Sequence, residues 1–165
     1  MARIFDSEIK IDSYDRWFFR GNEITQGEIL KYFRQNLRQS DQGVYIHNQF
    51  GELVENGYLH IEGFPAHIIH VKFEGGLGYL QTDAGEWIPE TDWEIFRSRD
   101  DSIFVTKSVE DKIRYRFDWN AASVLSQYLY EEGEAVYIQF DKVAREVIDF
   151  NASLLVDLPK SFDFV

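Results

Sequence analysis

The chain contains no cysteine, which removes disulfide frameworks, thiolate metal sites, thiol nucleophiles and iron–sulfur clusters in one step. Only three prolines occur, and no Ser- or Gly-rich run, so no flexible linker is expected between parts of the chain. Long apolar stretches are also missing. No window approaches the ~20 residues that a membrane-spanning helix requires, and the opening Met1-Ala2-Arg3-Ile4-Phe5-Asp6 does not begin a signal segment. Together these absences lead to the expectation of a cytoplasmic protein. Basic residues are scarce: 17 Lys and Arg face 29 Asp and Glu in 165 residues, for a net charge of −12. Such a surface repels phosphate, so neither general nucleic-acid binding nor adsorption to anionic membranes is expected. What remains is globular in kind, with 44% hydrophobic, 28% charged and 16% aromatic residues, enough for a packed core.

The charge is unevenly spread. Residues 1–40 hold seven basic side chains (Arg3, Lys10, Arg16, Arg20, Lys31, Arg34, Arg38) against six acidic ones, whereas the remaining 125 carry a net of −13. The opening region is therefore where a small anion would be welcome, or else a basic face that packs on the acidic remainder.

Periodicity supplies the elements. Glu8–Asp12 alternates as a strand, Ser13-Tyr14-Asp15 turns, and Arg16–Arg20 forms an aromatic second strand. Thr25-Gln26-Gly27-Glu28 reads as a capping box opening a helix that runs through Ile29–Gln39, with Leu30, Phe33 and Leu37 on one face and Lys31, Arg34 and Arg38 in an adjacent basic stripe. Val44–His47 returns as a strand, and Asn56-Gly57 reads as a hairpin turn between Glu52–Glu55 and Tyr58–Glu62. Past Gly63-Phe64-Pro65 come strands at His67–Phe73, Leu77–Thr82, Ile103–Lys107 and Lys112–Phe117, with Arg114 and Arg116 on the polar face of the last. Asp118 caps a second helix expected over Trp119–Glu131, followed by a strand at Ala135–Gln139. Val143–Phe150 fits either a strand or a helical turn, and the tail from Asp141 is not assigned.

The pieces repeat. Helix Ile29–Gln39 with Val44-Tyr45-Ile46 matches helix Ala121–Glu131 with Val136-Tyr137-Ile138 at a constant offset of 92, and Ile11…Trp17 echoes Thr82…Trp87. The expectation is an α+β protein of two duplicated halves, 1–63 and 64–165, each of antiparallel strands with one main helix. A joint between such halves is a favoured place for a ligand.

Ile11-Asp12…Asp15-Arg16-Trp17…Gly21…Ile24, then Phe33…Leu37, Tyr45 and Leu80…Thr82…Gly85 resemble an uncharacterised bacterial family, number 1285 in the domain-of-unknown-function series. The resemblance spans about residues 8–140 and rests on turns and hydrophobic spacings. It implies two duplicated α+β halves, the second akin to a pleckstrin-homology barrel, a ligand cleft between them for a nucleotide-like molecule, and a part in signalling. No catalytic activity is established for that family. The chain departs from the pattern at Asp83, where an amide is expected, and at Phe117-Asp118-Trp119, where glycines are expected.

Catalytic signatures are sparse. His67 and His70 lie on a strand, where odd spacing sends them to opposite faces, and a metal site wants three or four convergent ligands. No nucleophile elbow or phosphate loop occurs; Glu74-Gly75-Gly76-Leu77-Gly78 joins two strands. No cofactor or metal is expected. The reading is a non-enzymatic module that binds a small anionic ligand or a protein partner. Arg34, Arg38, Arg114 and Arg116 would supply charge-assisted hydrogen bonds, and Trp17 or Trp87 a flat surface. Two rivals stand beside it: a hydrolase using His67 or His70 beside a buried carboxylate, and a protein–protein adaptor or homo-oligomer recruiting through an edge strand or the tail.

Overall fold

In a computed structural model of the protein, residues 2–40, 42–98, 104–108, 113–140 and 143–150 are described. They form an α+β fold of two compact units that divide between Ala66 and His67. Asp100-Asp101, Ile103, Val109-Glu110-Asp111, Lys112 and the tail from Asn151 lie outside the described residues.

The first unit is built from β1 (Arg3–Ile11), β2 (Trp17–Phe19), β3 (Asn22–Glu23), α1 (Gly27–Gln35), β4 (Leu37–Ser40), β5 (Gly43–Phe50) and β6 (Leu53–Ile61). Its sheet runs β3-β2-β1-β6-β5-β4. All neighbours are antiparallel except β1 and β6, which are parallel. Ile9, Ile11, Trp17, Leu37, Val44, Ile46 and Leu59 are buried; Ile9 and Ile11 on β1, and Val44 and Ile46 on β5, recur at every second position, which puts each pair on one face of its strand.

Two expectations fail here for stated reasons. Asn56-Gly57 is no hairpin turn: β6 is continuous, and glycine at 57 leaves room for close neighbours, since an added Cβ would stand 3.1 Å from the Phe5 ring and from Ser7 Cβ. Helix α1 is shorter than its apolar spacing suggests. Leu37–Ser40 pairs with β5 as a strand, and His47 N–H donates to Asn36 O at 2.8 Å. Strand pairing thus wins over helical periodicity, and Arg38 leaves the basic stripe.

The second unit contains β7 (Ala66–Glu74), β8 (Leu77–Thr82), β9 (Trp87–Pro89), a 3₁₀ turn at Glu90–Asp92, β10 (Trp93–Ser98), β11 (Phe104–Ser108), β12 (Arg114–Phe117), α2 (Trp119–Ser126), β13 (Leu129–Glu132), β14 (Ala135–Phe140) and β15 (Val143–Phe150). The sheet is open, in the order β13-β14-β15-β10-β11-β12-β7-β8-β9, with β10 and β15 parallel. Its core gathers Ile68, Leu80, Trp93, Phe117, Leu125 and Ile138 with their neighbours. Asp118 caps α2 as expected, its carboxylate accepting from Ala121 N–H at 2.8 Å. The helix ends at Ser126 and not at Glu131, because Leu129–Glu132 pairs with β14.

The two helix-and-hairpin segments share one register at the 92-residue offset. Leu37↔Ile46, Arg38↔Tyr45, Gln39↔Val44 and Ser40↔Gly43 correspond to Leu129↔Ile138, Tyr130↔Tyr137, Glu131↔Val136 and Glu132↔Ala135. The bond from His47 to Asn36 has its counterpart in Gln139 N–H to Tyr128 O, at 3.0 Å. The turns before the tryptophans agree too. Asp12 N–H to Arg16 O and Thr82 N–H to Glu86 O are both 2.9 Å, with Asp15 (φ 65°) standing where the second turn has Gly85 (φ 92°).

Candidate functional site

The turn Asp12–Trp17 fixes one wall of the first unit. Asp15 is buried and left-handed, and its Oδ1 accepts the Phe64 N–H at 2.7 Å. Gly63 lies so close that an added Cβ would sit 2.5 Å from the Asp12 carbonyl oxygen. Next along, Pro65 O accepts from Trp17 Nε1 at 3.1 Å and from Arg34 Nε at 3.2 Å. Trp17 is 1% exposed, stacks on Phe33 at 5.9 Å, and has the Arg34 guanidinium 5.7 Å from its ring. Its flat faces are therefore occupied from within the unit.

Helix α1 rests on this wall by its C-terminal half and leaves space at the other end. None of its residues is buried, and Ile29 is 39% exposed. The expected capping box is absent. The helix starts one residue later than Thr25 allows, so Gln26 is the N-cap, extended in backbone and without a side-chain cap bond. The space that results is a cleft of about 460 Å³. Ile9 and Phe19 come from the sheet, Ile29 and Phe33 from α1, and Ile24 from the connection; Glu23, Thr25 and Gln26 contribute polar atoms. Helical periodicity places Leu30, Phe33 and Leu37 on one face and does not single out Ile29, Ile24 or Phe19 as cleft residues. The structure makes Arg20-Gly21 a two-residue hairpin turn between β2 and β3, which brings Phe19 and Ile24 to the cleft.

The other expected residues lie as follows. Arg38 is exposed on β4, with a terminal nitrogen on the Leu37 carbonyl at 2.8 Å. Arg114, assigned to a polar strand face, is 8% exposed, and Arg116 is partly buried two residues along β12. Trp87 is 40% exposed on β9, stacked on His70 at 6.4 Å and with Lys72 Nζ 4.3 Å from its ring. The histidines are dispersed: His47 bonds Asn56, His60 bonds Asp6 and His67 bonds Asp83. Among the described residues, no three His, Asp or Glu side chains are grouped to hold a metal ion.

The Asp6–His60 pair borders a second, polar recess of about 380 Å³ with Glu8, Lys10 and Glu62. Burial pushes the Asp6 carboxyl up, but the Glu8 amide and then the hydrogen bond and charge of His60 outweigh it and hold the group below its ordinary value. Asp12 is likewise lowered: against desolvation, its carboxyl accepts from the Arg16 amide, the Arg16 side chain and the Tyr14 amide.

No protein-family model and no curated protein matches the chain. Among solved structures, a DUF1285 family protein from Silicibacter pomeroyi DSS-3 superposes with a TM-score of 0.69 at 12% identity, over 90% of this chain and 84% of that one. A DUF1285 family protein from Shewanella baltica OS155 matches at a TM-score of 0.49 and 13% identity, over 67% of this chain and 84% of that one. The resemblance noted from turns and spacings thus holds at the level of architecture: the chain has the fold of a DUF1285 family protein.

Proposed function

We propose that this protein is a binding module without chemistry of its own, and that it takes an apolar group into the cleft between α1 and β1–β3. The observation that carries this reading is a preformed space of about 460 Å³, walled by Ile9, Phe19, Ile24, Ile29 and Phe33, with no histidine in its lining. A preformed apolar concavity with a few polar atoms at its rim is the usual form of a small-ligand site. The anion expected from the arginines has less support. Arg34 already holds Pro65, Arg38 turns to its own backbone, and Arg114 is buried. The hydrolase reading keeps one support, His67 beside the largely buried Asp83 carboxylate at 3.2 Å, but neither residue lines the cleft.

We also propose that the two units descend from one duplicated element. Support comes from the shared register at offset 92 and from the matching turns before Trp17 and Trp87.

Indole, a compact apolar probe, tests the cleft. Ligand that binds only the folded state raises its stability in proportion to occupancy. Millimolar indole should raise the melting temperature of the wild-type protein, and Ile29→Trp, which fills the space from a half-exposed position, should remove the rise. An equal rise in both proteins, or none in either, contradicts the reading.

A further inference from the structure

The cleft has an apolar body and one polar end. Ile9, Phe19, Ile24, Ile29 and Phe33 line the body, while Asn22, Glu23, Thr25 and Gln26 belong to the segment that leads through β3 into α1. The first amides of a helix have no acceptor within it and point back along its axis, here toward the rim formed by Thr25 and Gln26. Gln26 gives them no side-chain bond. At the matching place in the second unit Asp118 does, its carboxylate accepting from Ala121 N–H at 2.8 Å. The first unit thus lacks, at the rim of its cleft, the carboxylate that its counterpart carries. Approach to these amides is open, since a Cβ added at Gly27 would meet nothing within 4 Å.

Charge favours the same kind of ligand. Residues 1–40 include every residue of the lining and carry seven basic against six acidic side chains, whereas the remainder stands at −13. Lys31 and Arg34 lie on α1 itself. Glu23 is the one charged residue in the lining, and it is exposed to water, where screening weakens its repulsion.

We infer that the cleft takes an apolar monocarboxylate, its aliphatic or aromatic body among Ile9, Phe19, Ile24, Ile29 and Phe33 and its carboxylate on the first-turn amides of α1. The inference rests on the cleft being a binding site, as proposed above, and names the class of ligand. Free amides and aligned peptide dipoles both favour an anion at a helix N-terminus. The cleft supplies the affinity for the body, and the helix end sets its orientation. The reverse orientation would press the charge against Ile9 and Phe19 without a partner, which is costly. A neutral apolar molecule fills the same space but gains nothing from the helix. An anion without an apolar body gains only an exposed helix end.

Indole-3-acetate and indole-3-acetamide differ in charge and hardly in shape, so titrating each into the full-length protein at neutral pH, followed by ¹H–¹⁵N spectra, tests the inference. The carboxylate should bind about fivefold more tightly than the amide, as an anion at a partly exposed helix end does, with the largest shifts at residues 26–29. Gln26→Asp puts a carboxylate where the second unit has Asp118 and should abolish that preference. Glu23→Gln, which removes the opposing charge, should enlarge it. Equal affinity of the wild-type protein for both probes, a preference unchanged in Gln26→Asp or reduced in Glu23→Gln, or shifts centred outside residues 22–33 would overturn the inference. The indole experiment separates the two levels. If indole binds and the acetate and the acetamide bind alike, the carboxylate position fails and the cleft stands; if none of the three binds, both fall.

Discussion

Asp15 shows how one side chain can hold a junction. Its carboxylate is buried, its backbone is left-handed, and its oxygen takes the Phe64 amide at 2.7 Å. Removing the acceptor leaves that amide unsatisfied, which costs about 1–3 kcal/mol. Asp15→Ala should lower unfolding free energy by that amount in urea titration, and Asp15→Asn, which retains an oxygen, by less. Gly63→Ala should be comparably damaging, about 1–3 kcal/mol, because the new methyl meets the Asp12 carbonyl. Asp6 governs a different response. Its carboxyl is held below the ordinary value, so its stabilising contribution is present above the unfolded pKa and is lost as pH falls through the folded one. The loss from this group should therefore develop below about pH 4. Chemical denaturation at stepped pH should show a shallower acid decline in Asp6→Asn than in wild type.

At the scale of elements, the two helices invite comparison because their N-caps fall at matching places, Gln26 and Asp118. Asp118 bonds the Ala121 amide; Gln26 has no side-chain cap bond. Substituting Gln26→Asp should stabilise the protein by about 1 kcal/mol, measurable as a higher urea midpoint at unchanged slope. Since α1 buries none of its residues while α2 buries Ala121 and Leu125, amide exchange should be faster in α1 at neutral pH. Equal protection of both helices would contradict the packing described here. Sequence patterning located both helices and most strands, and it captured the 92-residue echo. It failed where a local pattern served two masters. Leu30, Phe33 and Leu37 satisfy helical spacing, yet Leu37 belongs to β4 because pairing with β5 supplies its hydrogen bonds. Asn56-Gly57 has the chemistry of a turn, but the glycine makes room for Phe5 within a strand. Parallel pairing of β1 with β6 and of β10 with β15 joins segments distant in sequence, beyond the reach of any local period. The cleft was illegible for a related reason: it arises from where α1 fails to cover the sheet, and a sequence records side chains and not the gaps between them.

For the molecule as a whole, composition and architecture constrain function from two sides. A net charge of −12 opposes phosphate backbones and favours basic partners. Indole binding in the apolar cleft should change little with ionic strength. The likeness to a DUF1285 family protein at 12% identity shows that this architecture survives wide sequence change, as expected when periodic apolar positions carry the core. Function then resides in particular surfaces of the fold and not in the fold itself. Exposed apolar side chains occur at several places among the described residues, including Ile29 at the cleft, Trp87 on β9, Phe50 and Leu53 where β5 meets β6, and Trp119 at the start of α2.

Residue-resolved ¹H–¹⁵N spectra of the wild-type protein during indole titration discriminate between them most directly. Binding in the cleft should move the amides of residues 22–33 in a saturable manner, with those of residues 87–89 unaffected. Shifts centred on Trp87 and His70, or scattered over the surface without saturation, would contradict the assignment of the cleft as the place where this protein meets other molecules.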